Sequence, residues 1–144
     1  MNSRFKSIVS KAVGAAMLAS AVAVTIPVMG VENTTKHAWA GYAQTPGTTL
    51  QSGIEIKGTA KYVGAEYMLG GSGQVRVRVF ANIGGGGYID VTARQYNISK
   101  ANGVFNLVAN YAYENNGYNS VSTYTGYTTT TTGNHAGRWI PDYR

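Results

Sequence analysis

Residues 74–81 alternate valine with charged or aromatic residues, and this period of two constrains the fold more than any other feature of the chain. The valines occupy odd positions, whereas Arg76, Arg78 and Phe80 occupy even ones. Successive side chains of a β-strand point to opposite sides, so the segment predicts a strand with one buried and one solvent-facing side. β-Branched residues also favour strands over helices.

Weaker alternation of the same period recurs along the chain. It predicts further strands over residues 54–62, 66–69, 88–98, 104–113 and 118–130. Turns rich in glycine or asparagine separate them, and one contains Asn116-Gly117, a pair typical of tight hairpins. Short connections favour pairing of chain neighbours, which gives an all-β antiparallel meander of about five or six strands. Since one sheet alone would leave a side bare, we expect it to close as a β-sandwich or small barrel.

The pairing of the two central strands is predicted from their charges. Inward-facing side chains must stay together, so paired residue numbers must sum to an even value. A sum of 168 places Arg78 opposite Asp90, whereas a sum of 170 would place Arg76 opposite Arg94. Opposite charges across a pair are favourable and like charges are not. We therefore expect the sum of 168, with a flexible glycine-rich loop over residues 81–87.

The beginning of the chain differs in composition from the rest. Basic residues lie at the start, a long apolar run follows, and Ala38-Trp39-Ala40 offers small side chains to a signal peptidase. This pattern predicts a helical signal peptide over residues 1–40, cleaved after Ala40, and therefore a secreted protein. Two alternatives stay open, namely a cut nearer Gly30 and an uncleaved membrane anchor.

The remaining domain boundaries follow from the same patterns. Residues 41–53 combine Gly, Thr, Gln and Pro with little periodicity, so we expect a flexible N-terminal lead-in. Residues 54–132 hold the antiparallel β domain, and residues 133–144 are expected to form an irregular C-terminal tail. No helix of ordinary length is expected after residue 40.

Groups that could perform catalysis are few. The chain has no cysteine, which excludes disulfides, thiolate zinc sites and thiol nucleophiles. Beyond residue 40 there are one histidine, His135, and five scattered carboxylates without metal-ligand spacing. His135, Asp142 and a serine could form a hydrolase triad, but a solvated tail histidine is the simpler interpretation. We therefore expect no enzymatic activity, no cofactor and no metal.

Tyrosine and arginine dominate the residues left to bind a partner. All 11 tyrosines lie after residue 40, where the formal net charge is +3, half of the +6 of the whole chain. Aromatic rings beside guanidinium groups suit sugar rings, anionic polymers and lipid head groups. The candidate binding surface comprises Arg76, Arg78, Arg94, Tyr88, Tyr96, Tyr113, Tyr124 and Trp139. The alternative is that the strands present an ordinary solvated side and that the tyrosines pack as cross-strand pairs.

These observations favour a secreted, non-enzymatic β protein that binds cell-envelope polymers or surfaces, in the manner of a small bacteriocin-like antagonist. The expected partner is a cell envelope or another anionic surface polymer, and export disfavours nucleic acid. One alternative is a structural matrix protein that self-associates into fibres through its edge strands. Another is a secreted inhibitor that contacts its target through the glycine-rich segment 81–87.

Overall fold

The computed structural model describes residues 31–144. Within that range the chain forms strands β1 (His37–Ala43), β2 (Thr49–Gln51), β3 (Glu55–Lys57), β4 (Val63–Leu69), β5 (Gln74–Asn82), β6 (Tyr88–Asp90), β7 (Tyr96–Ser99), β8 (Asn106–Val108), β9 (Val121–Thr128) and β10 (Gly133–Ile140). The helical structure in the same range is a 3-10 turn over Ile83–Gly85 and one turn of α-helix, α1 (Ala112–Asn115). Neither helical segment there is long and apolar enough to cross a membrane.

The strands form two antiparallel sheets. Sheet A has the order β1-β10-β4-β8, and sheet B has the order β2-β9-β5-β6, with β3 also paired to β9 and β7 to β5. Strands β9 and β10 follow each other along the chain, yet each lies inside a different sheet. Neighbours within a sheet therefore come largely from distant parts of the sequence, as β1 pairs with β10 and β5 with β9.

The hydrophobic core joins the inner sides of both sheets. The three inward valines of β5 are buried in one cluster with Trp39 and Trp139 of sheet A. The Trp39 ring stacks on Tyr127 of sheet B, with ring centroids 3.8 Å apart and planes inclined by 11°. The indole nitrogen of Trp39 also donates a hydrogen bond to the Glu66 carbonyl. Large rings contribute much of the buried apolar area, so this stack holds the two sheets together.

The all-β, antiparallel character expected from the sequence is confirmed, whereas the meander and the closed barrel are wrong for residues 31–144. Consecutive strands often belong to different sheets, so the chain crosses repeatedly from one side of the shared core to the other. The predicted strand over residues 104–113 shrinks to β8 before the chain turns into α1. Asn116 and Gly117 end that helical turn instead of forming a hairpin.

Both segments expected to be irregular contain strands. The predicted C-terminal tail over residues 133–144 contains β10, which lies inside sheet A, and the predicted lead-in over residues 41–53 contains the end of β1 and all of β2. β1 pairs with β10 along its whole length and passes through Ala40, so the folded domain does not begin after Ala40. The predicted signal-peptide helix falls mainly on residues 1–30, which lie outside the described residues.

The predicted register of the central hairpin is also wrong. Phe80 pairs with Asp90, so the residue numbers sum to 170 and not to 168. β6 ends at Asp90, and the chain bends before it pairs again as β7. Arg76 consequently lies opposite Asn97 and not opposite Arg94, so the like-charge contact that argued against 170 does not arise.

The glycine-rich connection between β5 and β6 is a structured turn. Gly84 and Gly85 have φ values of 59° and 76°, a conformation that favours glycine. The Gly84 amide donates to the Asn116 side chain, and the Gly87 amide donates to the Asn82 side chain, both at 3.0 Å. These bonds tie the turn to its own strand and to the end of α1.

Replacement of Trp39 by alanine should lower the free energy of unfolding by about 3–5 kcal/mol, because it removes the ring that stacks across the two sheets. Urea unfolding followed by far-UV circular dichroism measures the change. Tyr42→Ala on the same strand is the matched control, because Tyr42 is 56% exposed. The control should change the free energy of unfolding by less than about 0.5 kcal/mol. Equal effects of the two substitutions would contradict the assignment of Trp39 to the core.

Candidate functional site

Four side chains on the outer side of sheet B form a contiguous surface, here called the aromatic face: Arg78, Phe80, Tyr88 and Tyr124. The Phe80 and Tyr124 rings stack with centroids 4.9 Å apart and planes inclined by 10°. Tyr88 lies against the same Tyr124 ring at 5.1 Å and 60°. The Arg78 guanidinium carbon lies 5.3 Å from the centroid of the Phe80 ring. These distances are those of favourable aromatic and cation–π contacts.

Strand parity and register bring these residues together. Phe80 on β5 pairs directly with Tyr124 on β9, and both point away from the core. Arg78 pairs with Gly126, where a Cβ atom would lie 3.1 Å from the Phe80 ring and 3.2 Å from the Thr49 methyl group. Gly126 therefore allows the Phe80 ring to pack closely against β9, and a larger residue at position 126 would push the ring away from the strand.

Hydrogen-bonding groups surround the rings. Arg78 donates weakly to the Thr49 hydroxyl at 3.4 Å, while its buried Nε has no partner among residues 31–144. Burial raises the pKa of Tyr88, while a hydrogen bond with the Ser122 side chain acts in the opposite direction. Asp90, the nearby carboxylate, accepts from the Thr92 hydroxyl at 2.6 Å and from the Thr92 amide at 2.9 Å. The acid is thus engaged locally, and the Arg78 Nε beside the rings is left without a partner among residues 31–144.

Half of the predicted binding residues gather on this outer side. Arg76 precedes Arg78 by two residues on β5, so it lies on the same outer side of sheet B, and it is exposed. Arg94 and Tyr96 form a separate pair, in which the guanidinium carbon lies 4.7 Å from the ring centroid and Nε donates to the hydroxyl at 3.2 Å. Tyr96 packs against the core and pairs with the inward Val77, so the prediction that this pair shares the side of Arg76 is wrong.

The last two predicted residues lie elsewhere. Tyr113 of α1 meets Tyr118 edge-on, with ring centroids 6.0 Å apart. Trp139 is fully buried, so its assignment to a binding surface is wrong. The error follows from the supposed irregular tail, because the pairing of β10 with β1 and β4 puts alternate residues of that segment into the core.

His135 and Asp142 belong to separate hydrogen-bond networks. The expected solvated tail histidine is wrong, because His135 is 1% exposed. Its Nδ1 lies 2.9 Å from the Tyr67 hydroxyl, and its Nε2 lies 3.0 Å from the Thr131 carbonyl, to which it donates. Asp142 instead contacts Lys57 in a buried ion pair. Among residues 31–144 no group of three or more His, Asp or Glu side chains could hold a metal ion.

Sequence reasoning missed a buried ion pair in sheet A. Glu66 is fully buried and accepts two hydrogen bonds from Arg138, at 2.6 Å to Oε1 and 3.0 Å to Oε2. It also accepts a hydrogen bond from the Gly103 amide. Burial alone would raise the pKa of Glu66, but these hydrogen bonds outweigh it and hold the pKa below its usual value. No local pattern marks this pair, because its members are 72 positions apart.

Glu66 should make folding sensitive to acid. Because its pKa is lower in the folded than in the unfolded protein, its stabilisation is complete above the unfolded pKa of about 4.3 and disappears as pH falls through the folded value. Glu66→Gln should therefore lower the unfolding midpoint at pH 7 and flatten its decline between about pH 5 and pH 3. Thermal unfolding across that range measures both effects.

Glu32→Gln is the matched control, because Glu32 pairs with Lys61 where both side chains are 41% exposed. It should leave the pH profile close to that of the unsubstituted chain, since exposed ion pairs contribute little. A Glu66→Gln profile parallel to the unsubstituted one would show that Glu66 does not supply the acid dependence.

Comparisons of this chain with protein-family models, with curated proteins and with solved structures found no match.

Proposed function

We propose that this chain is an exported, non-enzymatic protein that binds an anionic polymer of the cell envelope through its aromatic face. The observation that carries the proposal is the cluster of three rings beside Arg78 on the outer side of one sheet. Rings offer a broad apolar surface to the CH groups of sugars, and phenol hydroxyls bind the polar rim. The guanidinium group of arginine recognises phosphate and carboxylate groups.

The chemistry of the aromatic face favours a repeating polymer over a compact ligand. Its rings lie on a sheet surface, where successive units of an extended chain can stack side by side. Arg76 continues the same row beyond Arg78 and supplies a second positive charge. Antagonism of other microbes, in the manner of a bacteriocin, is the use that best suits an exported protein that binds envelopes.

Export through an N-terminal signal remains part of the proposal. A cut nearer Gly30 fits the folded domain better than a cut after Ala40, because it leaves β1 and Trp39 in the secreted protein. N-terminal sequencing of the protein recovered from the culture medium distinguishes the two.

Tyr124→Ala should weaken binding to isolated bacterial envelopes about three- to tenfold, because it removes the ring that contacts both Phe80 and Tyr88. Co-sedimentation with envelopes, before and after their anionic wall polymer is extracted, measures the affinity. Raising the salt from about 0.05 M to about 0.5 M should weaken binding further, since salt screens Arg76 and Arg78.

Tyr118→Ala is the control for this experiment. Tyr118 is 61% exposed, and its ring contacts that of Tyr113, which is not part of the aromatic face. Its replacement should leave the affinity unchanged. Absence of envelope binding, or equal losses for Tyr118→Ala and Tyr124→Ala in variants that remain folded, would overturn the proposal.

A second candidate function, assembly into extracellular fibres, is favoured by the edge strand β1. This strand has seven residues, lies at one end of sheet A and contains no Lys, Arg, Asp, Glu or Pro. Charged residues and proline commonly protect the edges of natural sheets from pairing with another chain. The exposed residues of β1 carry neither a charge nor a proline ring that would hinder such pairing; they are Ala38, Ala40 and Tyr42.

If β1 mediates assembly, Ala40→Lys should abolish concentration-dependent association, because it places a charge on the pairing edge. Sedimentation velocity at increasing protein concentration measures the association. Thr130→Lys adds the same charge at an exposed turn outside the strands and should leave association unchanged. An unsubstituted chain that stays monomeric throughout would exclude this second function.

A further inference from the structure

Lys57 and Asp142 form a buried contact between the two sheets. Lys57 is the last residue of β3 in sheet B, and Asp142 follows β10 of sheet A. Both side chains are 0% exposed, and Lys57 Nζ lies 3.1 Å from Asp142 Oδ1. Two charges removed from water lose hydration that their mutual attraction restores only in part. Conversion of the pair into a neutral amide would relieve that penalty.

Hydrogen-bond donors surround the two oxygens of Asp142 differently. Oδ2 accepts from the backbone amides of Asn33 at 2.8 Å and Gly58 at 2.9 Å. Two such amides are the arrangement that stabilises the negative oxygen of a tetrahedral intermediate. Oδ1 accepts from the Thr59 hydroxyl at 2.7 Å and from the Thr59 amide at 3.2 Å. The hydroxyl can deliver a proton to Oδ1, the oxygen nearest the lysine.

Lys57 is placed as the attacking group. Its nitrogen donates to the carbonyls of Lys61 and Pro141, the latter at 2.8 Å, which hold it beside Asp142. Burial lowers the pKa of Lys57 against the opposing charges of Asp142 and Glu114, which increases the share of nucleophilic neutral amine.

We propose that Lys57 and Asp142 condense into an intramolecular isopeptide bond. The lone pair of Lys57 Nζ attacks Cγ of Asp142, the Nζ–Cγ bond forms, and the Cγ–Oδ1 bond breaks. Two protons pass from the ammonium group to Oδ1, which leaves as water, and one proton stays on the amide nitrogen. The hydrogen bond from Lys57 Nζ to Oδ1 gives these protons a direct path, and the Thr59 hydroxyl donates to the same oxygen. No oxidant or other co-reactant is consumed.

The bond would constrain this chain covalently, as a disulfide constrains proteins that contain cysteine. The chain has no cysteine, and the proposed bond closes a loop between residues that are 85 positions apart. A cross-link of that span limits the unfolded ensemble strongly. It also joins sheet A to sheet B, so a protease or heat cannot separate the sheets without breaking a covalent bond. This inference is independent of the envelope-binding proposal.

The mass of the purified full-length protein tests the proposal directly. We expect the intact mass to fall below the sequence mass by one water, once the actual N-terminus is known. Tandem mass spectrometry after digestion should find one branched peptide that contains both Lys57 and Asp142. A folded, unsubstituted protein with the full sequence mass and no branched peptide would overturn the proposal.

Asp142→Asn is the most informative variant. Attack of Lys57 on asparagine releases ammonia in place of water, so the product should have the same mass as the cross-linked unsubstituted protein. Lys57→Met should give the full mass calculated from its own sequence. Lys61→Met is the matched control, because the Lys61 side chain is 41% exposed and pairs with Glu32. It should retain the cross-link.

Discussion

The stacking of Trp39 on Tyr127 is the contact on which the rest of the structure depends. Trp39 belongs to β1 of sheet A and Tyr127 to β9 of sheet B, so their 3.8 Å stack joins the sheets at the centre of the core. Tyr67 belongs to the same hydrophobic core, and its ring centroid lies 6.3 Å from that of Trp39. Each sheet has one side that must be covered, and these rings cover both at once. The position of β9 in turn fixes the outer side of sheet B, where Tyr124 meets Phe80.

Three titratable side chains of the described residues belong to separate buried hydrogen-bond networks. Glu66 binds Arg138, His135 binds Tyr67 and Asp142 binds Lys57, and each contact joins segments that are far apart in the sequence. Buried polar groups are tolerated when their hydrogen bonds are complete, and these groups have several partners each. Such networks fix the register of β4 and β10 and the end of the chain. Of the three, the Lys57–Asp142 contact is the one for which we propose a covalent bond.

The outer side of sheet B has a different character. Its rings are half-buried, and the buried Nε of Arg78 beside them has no partner among residues 31–144. The envelope-binding proposal concerns the outer side of sheet B, whereas the cross-linking proposal concerns the buried contact between the two sheets. In the proposals the outer side of sheet B binds a ligand, while the buried contact between β3 and the chain after β10 joins the two sheets.

The sequence by itself determined strand type and side-chain direction, because the alternation in β5 requires Val75, Val77 and Val79 to share one side and Arg76, Arg78 and Phe80 the other. It therefore predicted the all-β class and half of the candidate surface. Only the tertiary structure decided which strands are neighbours, because pairing depends on packing between segments remote in sequence. That is why Trp39 resembled part of a cleavage site and Trp139 part of a loose tail, although both are buried. An alternation of period two indicates that one side of a strand is buried. Which segment packs against that side depends on the whole fold.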